Sequence, residues 1–175
     1  LYGGGFRLED REGLIREVRA LRTRASPEAL FRSFASLGGE RGWLVWNWAW
    51  ALRGFLDRLL GGPGLRRGRR HPTELLPGEA VDCWRVEAVE PPRLLRLRAE
   101  MRLPGRAWLE WEAREAEGGS LLVQTAYFEP KGLTGFLYWW ALYPIHRRIF
   151  SDLARAIVRE AEAQAEAPPR GGGAG

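Results

Sequence analysis

The sequence predicts an α+β fold in which a curved antiparallel sheet wraps around a long C-terminal helix, with two helices after the first strand. Three observations support this class. Four strand-like segments between residues 80 and 128 follow one another through short turns. Residues 132–165 keep a helical period with one apolar stripe. Residues 27–60 contain two further helical patterns, and a strand-like segment precedes them.

The first strand and the first helix have local signals. Residues 13–24 alternate loosely between apolar side chains and arginines, which predicts a half-buried strand. Ser26 can cap the free N–H groups of a helix, and Pro27 suits its first position. The pair Gly38-Gly39 predicts its end. The apolar side of this helix consists of Ala29, Leu30, Phe31 and Phe34.

The second helix follows a tryptophan-rich entry. Residues 42–46 fit a short strand or an irregular lead-in, and we assign no face to Trp43 or Trp46. A helical period starts at Asn47, and its apolar stripe is expected to face the core. The stripe consists of Trp48, Leu52, Phe55, Leu56 and Leu59. Trp50 lies nearly opposite, which predicts an outward residue that contacts a partner or a fused domain, or else covers the arginine-rich loop at 65–72.

The sheet segments are separated by turn residues. The predicted strands are 80–89, 93–101, 106–115 and 120–128, and the turns are Pro91-Pro92, Pro104-Gly105 and Gly118-Gly119. In the third strand, Leu109, Trp111 and Ala113 alternate with polar neighbours, so one face is expected to be buried. The short connections indicate an antiparallel meander.

The last helix supplies the long amphipathic element of the fold. Its inward stripe is predicted to hold Trp139, Tyr143, His146, Phe150, Leu153 and Ile157. Pro144 is expected to kink this helix or split it in two. The concave face of the sheet is the apolar area left for the helix to cover, which is a helix-grip arrangement. The curvature should leave a gap in which a small ligand can sit.

Composition and length limit the possible classes. The chain has 175 residues, enough for a single domain, which we place at 13–165 between a linker or flexible N-terminus at 1–12 and a disordered tail at 166–175. Cys83 is the only cysteine, which excludes an internal disulfide and fits the cytoplasm. With only two histidines and no carboxylates at ligand spacing, no metal site and no cofactor is expected.

Charge and hydropathy argue against two kinds of partner. The net charge is +5, and the basic cluster at residues 66–71 is expected to be a solvated loop rather than a nucleic-acid patch. The longest apolar run, 133–145, is shorter than the roughly 20 residues that a membrane span needs.

Three stretches of the sequence carry a family resemblance. They are residues 38–70 with the core Trp-Leu-Val-Trp-Asn-Trp-Ala-Trp, residues 84–91 (Trp-Arg-Val-Glu-Ala-Val-Glu-Pro), and residues 124–133 (Gln-Thr-Ala-Tyr-Phe-Glu-Pro-Lys-Gly-Leu) followed by Tyr138-Trp139. Together they resemble an uncharacterised family of the START-like (SRPBCC) helix-grip superfamily. The resemblance implies this fold and a cavity for a hydrophobic ligand. It also implies a possible partner, because such domains often follow an atypical short-chain-dehydrogenase-like, NAD(P)-binding half, whose Gly-x-Gly-x-x-Gly motif this chain lacks.

Six aromatic side chains are the candidates for the lining of this cavity. Those on the sheet are Trp84, Trp111 and Tyr127, and those on the last helix are Trp139, Tyr143 and His146. A shift of one residue in register would move a sheet candidate to the outer face. His146 fits either a cavity acid, base or hydrogen-bonding group, or a core histidine bonded to a carbonyl or water. No residue is predicted to be catalytic.

The expected function is the binding of an apolar or aromatic small molecule in this cavity by an accessory domain. One alternative is an enzyme domain that acts on an apolar substrate together with the dehydrogenase-like domain. A second alternative is association with a membrane surface through Trp139, Trp140 and the arginines. It ranks last because the apolar side of that helix is needed to cover the sheet.

Overall fold

Seven strands form one antiparallel sheet in the computed structural model, which describes residues 5–11, 13–62, 64, 68–72 and 74–166. The strands are β1 (Gly5–Arg11), β2 (Leu14–Thr23), β3 (Ala80–Val81), β4 (Trp84–Glu90), β5 (Leu94–Ala99), β6 (Gly105–Ala116) and β7 (Gly119–Pro130). Their order across the sheet is β1-β2-β7-β6-β5-β4-β3. The helices are α1 (Pro27–Ala35), α2 (Asn47–Leu59) and α3 (Gly132–Glu166). The predicted α+β helix-grip class is confirmed.

The expected linker at residues 1–12 is wrong for residues 5–11, which form β1. This strand pairs with β2 along its whole length, from Gly5 opposite Ala20 onward. The ring of Phe6 lies 4.9 Å from the guanidinium carbon of Arg19 and 5.1 Å from that of Arg147, so cation–π contacts add to the backbone pairing. Residues 1–4 and 12, and the expected tail from 167 onward, lie outside the described residues.

Helix α1 begins as its sequence signals predict and packs on α3. Ser26 Oγ accepts a hydrogen bond of 3.2 Å from the N–H of Ala29, and Pro27 occupies the first turn. Ser33 is fully buried, and its hydroxyl donates to the carbonyl of Ile157 over 3.0 Å. This bond satisfies a polar side chain inside the core.

Helix α3 covers the sheet and continues through Pro144 without the predicted split. Proline removes the hydrogen bond that would reach the carbonyl four residues earlier, at Trp140, which lies on an exposed part of the helix where water can replace it. Gln124 Nε2 donates to the carbonyl of Phe150 over 2.9 Å and so ties the helix to β7. At Gly135 a Cβ would lie 2.2 Å from the carbonyl oxygen of Pro104, so only glycine permits this approach.

Helix α2 has the predicted bounds, but the predicted inward stripe is wrong. All five residues of the stripe are exposed, by 45% to 68%, and the helix turns Gly54 and Asp57 inward. Asp57 is fully buried because its carboxylate accepts hydrogen bonds from the N–H of Gly64 (2.9 Å) and the N–H of Arg102 (2.7 Å). The helix therefore faces the protein with its charged side.

The predicted strand at 80–89 is interrupted. Asp82 has a left-handed backbone with φ of 53° and separates β3 from β4. Its carboxylate accepts from Trp43 Nε1 over 2.9 Å and from the N–H of Gly39 over 3.1 Å. Trp43 is thereby buried at the end of the sheet, and the segment that leads into α2 is fixed by this contact.

Candidate functional site: an apolar cavity

A cavity of about 280 Å³ lies between the sheet, α2 and α3. The sheet wall includes Trp84, Leu109, Ala126 and Phe128. The α3 wall includes Tyr138, Trp139, His146, Ile149 and Phe150, and the α2 wall includes Trp48, Trp50, Leu52, Arg53 and Leu56. The volume is near the lower end of the range for small-molecule sites, and the lining is mostly hydrophobic as in such sites.

Polar contacts at both ends of α2 hold this helix as the third wall. At its start, Trp46 Nε1 donates to Asp152 Oδ2 on α3 over 2.8 Å. At its end, Asp57 accepts from the backbone of Arg102, beyond β5. Between these anchors, large side chains rather than close helix packing occupy the space next to the sheet. The cavity is the part of this space that the side chains leave empty.

Trp50 lies where the sequence did not predict it. The expected outward contact residue is half-buried, borders the cavity, and packs against Trp43 and Trp84 with ring centroids 5.2 and 6.4 Å apart. The outward alternative is wrong because it assumed that the side of the helix that carries Arg53 and Asp57 must face water. Trp50 also borders a second cavity together with Arg69 and Arg70, so the other alternative, a cover for the arginine-rich loop, stays a prediction. Trp48, expected in the core, is instead 66% exposed at the rim of the cavity.

Four of the six predicted lining residues border the cavity: Trp84, Tyr127, Trp139 and His146. Trp84 forms part of the sheet wall, and Trp139 stacks on Phe128 with ring centroids 5.3 Å apart. His146 lies two turns further along α3, with its ring centroid 6.3 Å from that of Trp139 and 5.6 Å from that of Phe150. Whether these residues bind a ligand stays a prediction.

The other two predicted residues, Trp111 and Tyr143, lie outside the cavity lining. Trp111 is fully buried beneath α1, where it stacks on Phe34 and donates to Gln124 Oε1 over 2.9 Å, so it belongs to the core. Tyr143 packs against Trp139 and Trp140. Tyr127 borders the cavity from β7, and its hydroxyl lies 3.4 Å from Glu110 Oε1.

Five nitrogen atoms of the cavity residues have no hydrogen-bond partner within the described part of the chain. They are Trp50 Nε1, Arg53 Nη2, Trp84 Nε1, Trp139 Nε1 and His146 Nδ1. Each of these atoms is buried. Buried polar atoms in folded proteins usually have a partner, so a cluster of exceptions requires an explanation.

Burial and, to a smaller extent, the positive charge of Arg53 lower the pKa of His146 to about 4. The imidazole is therefore neutral at pH 7, and it can donate or accept one hydrogen bond at each ring nitrogen according to its tautomer. Burial also raises the pKa of the Cys83 thiol to about 12, so this cysteine is a protonated core residue rather than a nucleophile.

Other possible sites have weaker support in the structure. In the part of the chain that the structure describes, no three His, Cys, Asp or Glu side chains come together as metal ligands. None of the described helices is long and apolar enough to span a membrane. In the basic loop, Arg69 donates to the carbonyl of Leu37 over 2.7 Å and Arg70 pairs with Glu79, while the two arginines at 66 and 67 lie outside the described residues.

Arg53 is the site residue that sequence reasoning missed. The available signal was the occurrence of Trp50 on the charged side of α2, one turn from Arg53 and two turns from Asp57. An aromatic residue among charged neighbours indicates a side chain with a packing partner, and here that partner is the aromatic wall of the cavity.

The geometry of the sheet and α3 is shared with solved structures. The Zhui aromatase/cyclase from Streptomyces sp. R1128 has 17% identity and a TM-score of 0.55, with 88% of this chain and 97% of that chain covered. Ara h 8.0201 has 12% identity and a TM-score of 0.52, with 86% and 99% covered. The di-domain ARO/CYC StfQ of the steffimycin biosynthetic pathway has 12% identity and a TM-score of 0.53, with 88% and 52% covered.

These similarities establish the helix-grip fold, because identities this low carry no information on residue roles. A comparison with curated proteins found no match. A family model nevertheless matches residues 11–153, from the last residue of β1 through most of α3. The chain therefore belongs to the family described as protein of unknown function DUF2867.

Proposed function

We propose that this domain binds an apolar or aromatic small molecule in the cavity between the sheet, α2 and α3. The observation that carries the proposal is a cavity of about 280 Å³ with three largely aromatic and aliphatic walls. Burial of apolar ligand surface contributes about 25 cal/mol per Å², so a ligand that buries about 200 Å² gains roughly 5 kcal/mol before the costs of binding.

The exposed stripe of α2 supplies an entrance. Trp48, Leu52 and Leu56 border the cavity and are also exposed, so they form one side of its rim. Leu142 and Ile145 of α3 border the cavity as well, and Ile145 is exposed. An apolar ligand would meet apolar side chains at the surface before it enters, which accounts for leucine and tryptophan on the wet side of α2.

Two of the neighbours are named as aromatase/cyclases, which makes multi-ring aromatic compounds reasonable first ligands to test. Their sequences are too distant to transfer an activity. The proposal rests on the cavity of this chain.

Titration with N-phenyl-naphthylamine, a neutral apolar fluorophore, tests the proposal. Binding should increase the emission of the probe and quench the emission of the cavity tryptophans. The Ala99→Phe variant should abolish both changes, because Ala99 borders the cavity and a ring at this position would occupy it. The matched variant Ala116→Phe, at the distant end of β6, should bind like the wild type. Equal binding by all three folded proteins would refute a ligand site in this cavity.

The enzyme alternative remains open as a second proposal, and one observation favours it. His146 borders the cavity as a neutral imidazole with an unpartnered Nδ1, a state in which it could exchange a proton with a substrate. His146→Ala should abolish turnover of an apolar substrate in the full-length protein while the fold is retained, and unchanged turnover would remove His146 from the mechanism.

The dehydrogenase-like partner domain and the cytoplasmic location are proposed from the sequence alone.

The membrane alternative loses part of its basis. Trp139, one of its two proposed anchors, is buried against Phe128, whereas Trp140 is exposed. Four of the exposed apolar residues, Trp48, Leu52, Leu56 and Ile145, lie at the rim of the cavity, and we assign these four to ligand entry.

A further inference from the structure

The cavity combines apolar walls with one charged side chain, that of Arg53. Arg53 is half-buried, and its Nη2 is buried without an acceptor in the described structure. A buried charged donor without an acceptor is costly, so this arginine favours a molecule that supplies one.

The charge at this site is also uncompensated. Arg53 forms no ion pair within 4.0 Å with any described carboxylate, and its guanidinium carbon lies 5.8 Å from the ring centroid of Tyr138. Asp57, one turn further along α2, directs its carboxylate to the backbone N–H groups of Gly64 and Arg102. No Asp or Glu of the described chain borders the cavity.

These observations select among ligand headgroups. An amine would bring further donors and a second positive charge, and it would be repelled by Arg53. A pure hydrocarbon would fill the cavity and leave the guanidinium without a counter-charge. An anionic oxygen group would form a charge-assisted bond with Arg53, which is about twice as strong as a neutral one.

We infer that the ligand is an apolar organic acid, whose hydrocarbon or aromatic body fills the cavity and whose anionic oxygens accept from Arg53. This inference rests on the proposed function and adds the chemical class of the ligand. His146 is neutral and adds no charge to the site.

Displacement of bound N-phenyl-naphthylamine by three naphthalene compounds tests the inference. Naphthoate, naphthylmethanol and naphthylmethylamine share the same rings and differ in the headgroup: an anion, a neutral alcohol and a cation. The wild-type protein should bind naphthoate at least about tenfold more tightly than the alcohol, which corresponds to about 1.4 kcal/mol, and should bind the amine most weakly.

Variants of Arg53 test whether the charge of this residue causes the preference for naphthoate. Arg53→Met keeps a long side chain without the charge and should reduce the preference for naphthoate to about twofold or less, while N-phenyl-naphthylamine still binds. Arg53→Lys should keep most of the preference because it keeps the charge. The control Arg159→Met removes an exposed arginine from α3, far along the chain from the cavity residues, and should change nothing.

The outcomes separate this inference from the function on which it rests. If the neutral probe binds in the cavity but naphthoate binds no better than the alcohol, the organic-acid inference is wrong and apolar ligand binding stands. If Ala99→Phe does not affect the probe, the proposed function fails as well. The wild-type headgroup series needs no variant, so a folding defect in Arg53→Met would leave the inference testable.

Discussion

Helices α2 and α3 have similar amphipathic sequences and opposite orientations. Both show an apolar stripe at helical spacing, and the sequence predicts that both stripes face the core. In α3 the prediction holds for most of the stripe: Trp139 is 4% exposed and Leu153 is fully buried. In α2 it fails: Trp48 is 66% exposed and Leu59 is 68% exposed.

The difference comes from the contacts that hold each helix. Helix α3 lies against a preformed apolar surface, with Gly135 permitting close approach and Gln124 binding its backbone. Helix α2 is held by polar groups, because Asp57 accepts from two backbone N–H groups and Trp46 donates to Asp152. A hydrophobic stripe thus shows that a helix is amphipathic, and the available partners decide which side is buried.

Leucine deletions on the two helices test this comparison most directly. Leu153→Ala on α3 should lower the free energy of unfolding by about 4 kcal/mol, because it leaves a cavity in a closed core. Leu59→Ala on α2 should cost less than about 0.5 kcal/mol, as for most surface substitutions. Urea unfolding measures both values. A cost above about 2 kcal/mol for Leu59→Ala would show that this stripe is buried in solution.

Asp57, the buried charged residue of α2, should contribute more to the free energy of unfolding than the exposed leucines of this helix. Asp57→Ala should cost about 3 kcal/mol, because it leaves the N–H groups of Gly64 and Arg102 without an acceptor. Glu117→Ala, in an exposed turn, removes the same charge and should be nearly neutral. Chemical denaturation of both variants at pH 7 gives the comparison. A smaller effect for Asp57→Ala than for Leu59→Ala would contradict the orientation of α2.

The interface between the two helices should depend on pH through His146. Its pKa is about 4 in the folded protein and about 6.5 in the unfolded chain, so between these values the unfolded chain binds more protons. Stability is therefore fully present above pH 6.5 and is lost as the pH falls, by about 2 kcal/mol between pH 7 and pH 5. The charged group that faces His146 across the cavity is Arg53.

Removing the imidazole isolates this contribution. His146→Phe should flatten the dependence of stability on pH between 7 and 5, measured as the midpoint of urea unfolding. His71→Asn, in an exposed loop, keeps His146 and should retain the wild-type slope. Identical slopes in the wild type and His146→Phe would mean that the imidazole titrates normally in the folded protein.

The smallest expected effect concerns the anchor at the start of α2. Trp46→Phe removes the indole donor to Asp152 and should lower the free energy of unfolding by about 1 kcal/mol. Trp48→Phe, at the exposed rim, should be close to neutral by the same measurement. Equal values would indicate that the Trp46–Asp152 bond does not stabilise α2 against α3.

Much of the fold could be predicted because its signals are local. The Ser26 cap and Pro27 specify the start of α1, and the turn residues bound the strands of the meander. Strand β1 was missed because the short segment after the glycine run carries no strand signal of its own. It forms a strand by pairing with β2. Of the kink or split expected at Pro144, the split did not occur because the affected carbonyl lies on an exposed part of α3.

The candidate site was less predictable, since lining a cavity depends on register and on distant partners. Trp84, Tyr127, Trp139 and His146 were predicted to line the cavity and border it. Trp111 has the expected inward direction but lies under α1, and the Tyr127 hydroxyl lies beside Glu110.

The sequence by itself determined the elements, their order and the helix-grip class, because hydrophobic period, caps and turns depend on residues that are near in the chain. Only the tertiary structure decided that α2 turns Trp50, Arg53 and Asp57 inward. The reason is that the acceptor role of Asp57 depends on the backbone of Arg102, 45 residues away. The same inversion places an arginine beside an apolar cavity, the feature on which the proposed choice of ligand depends.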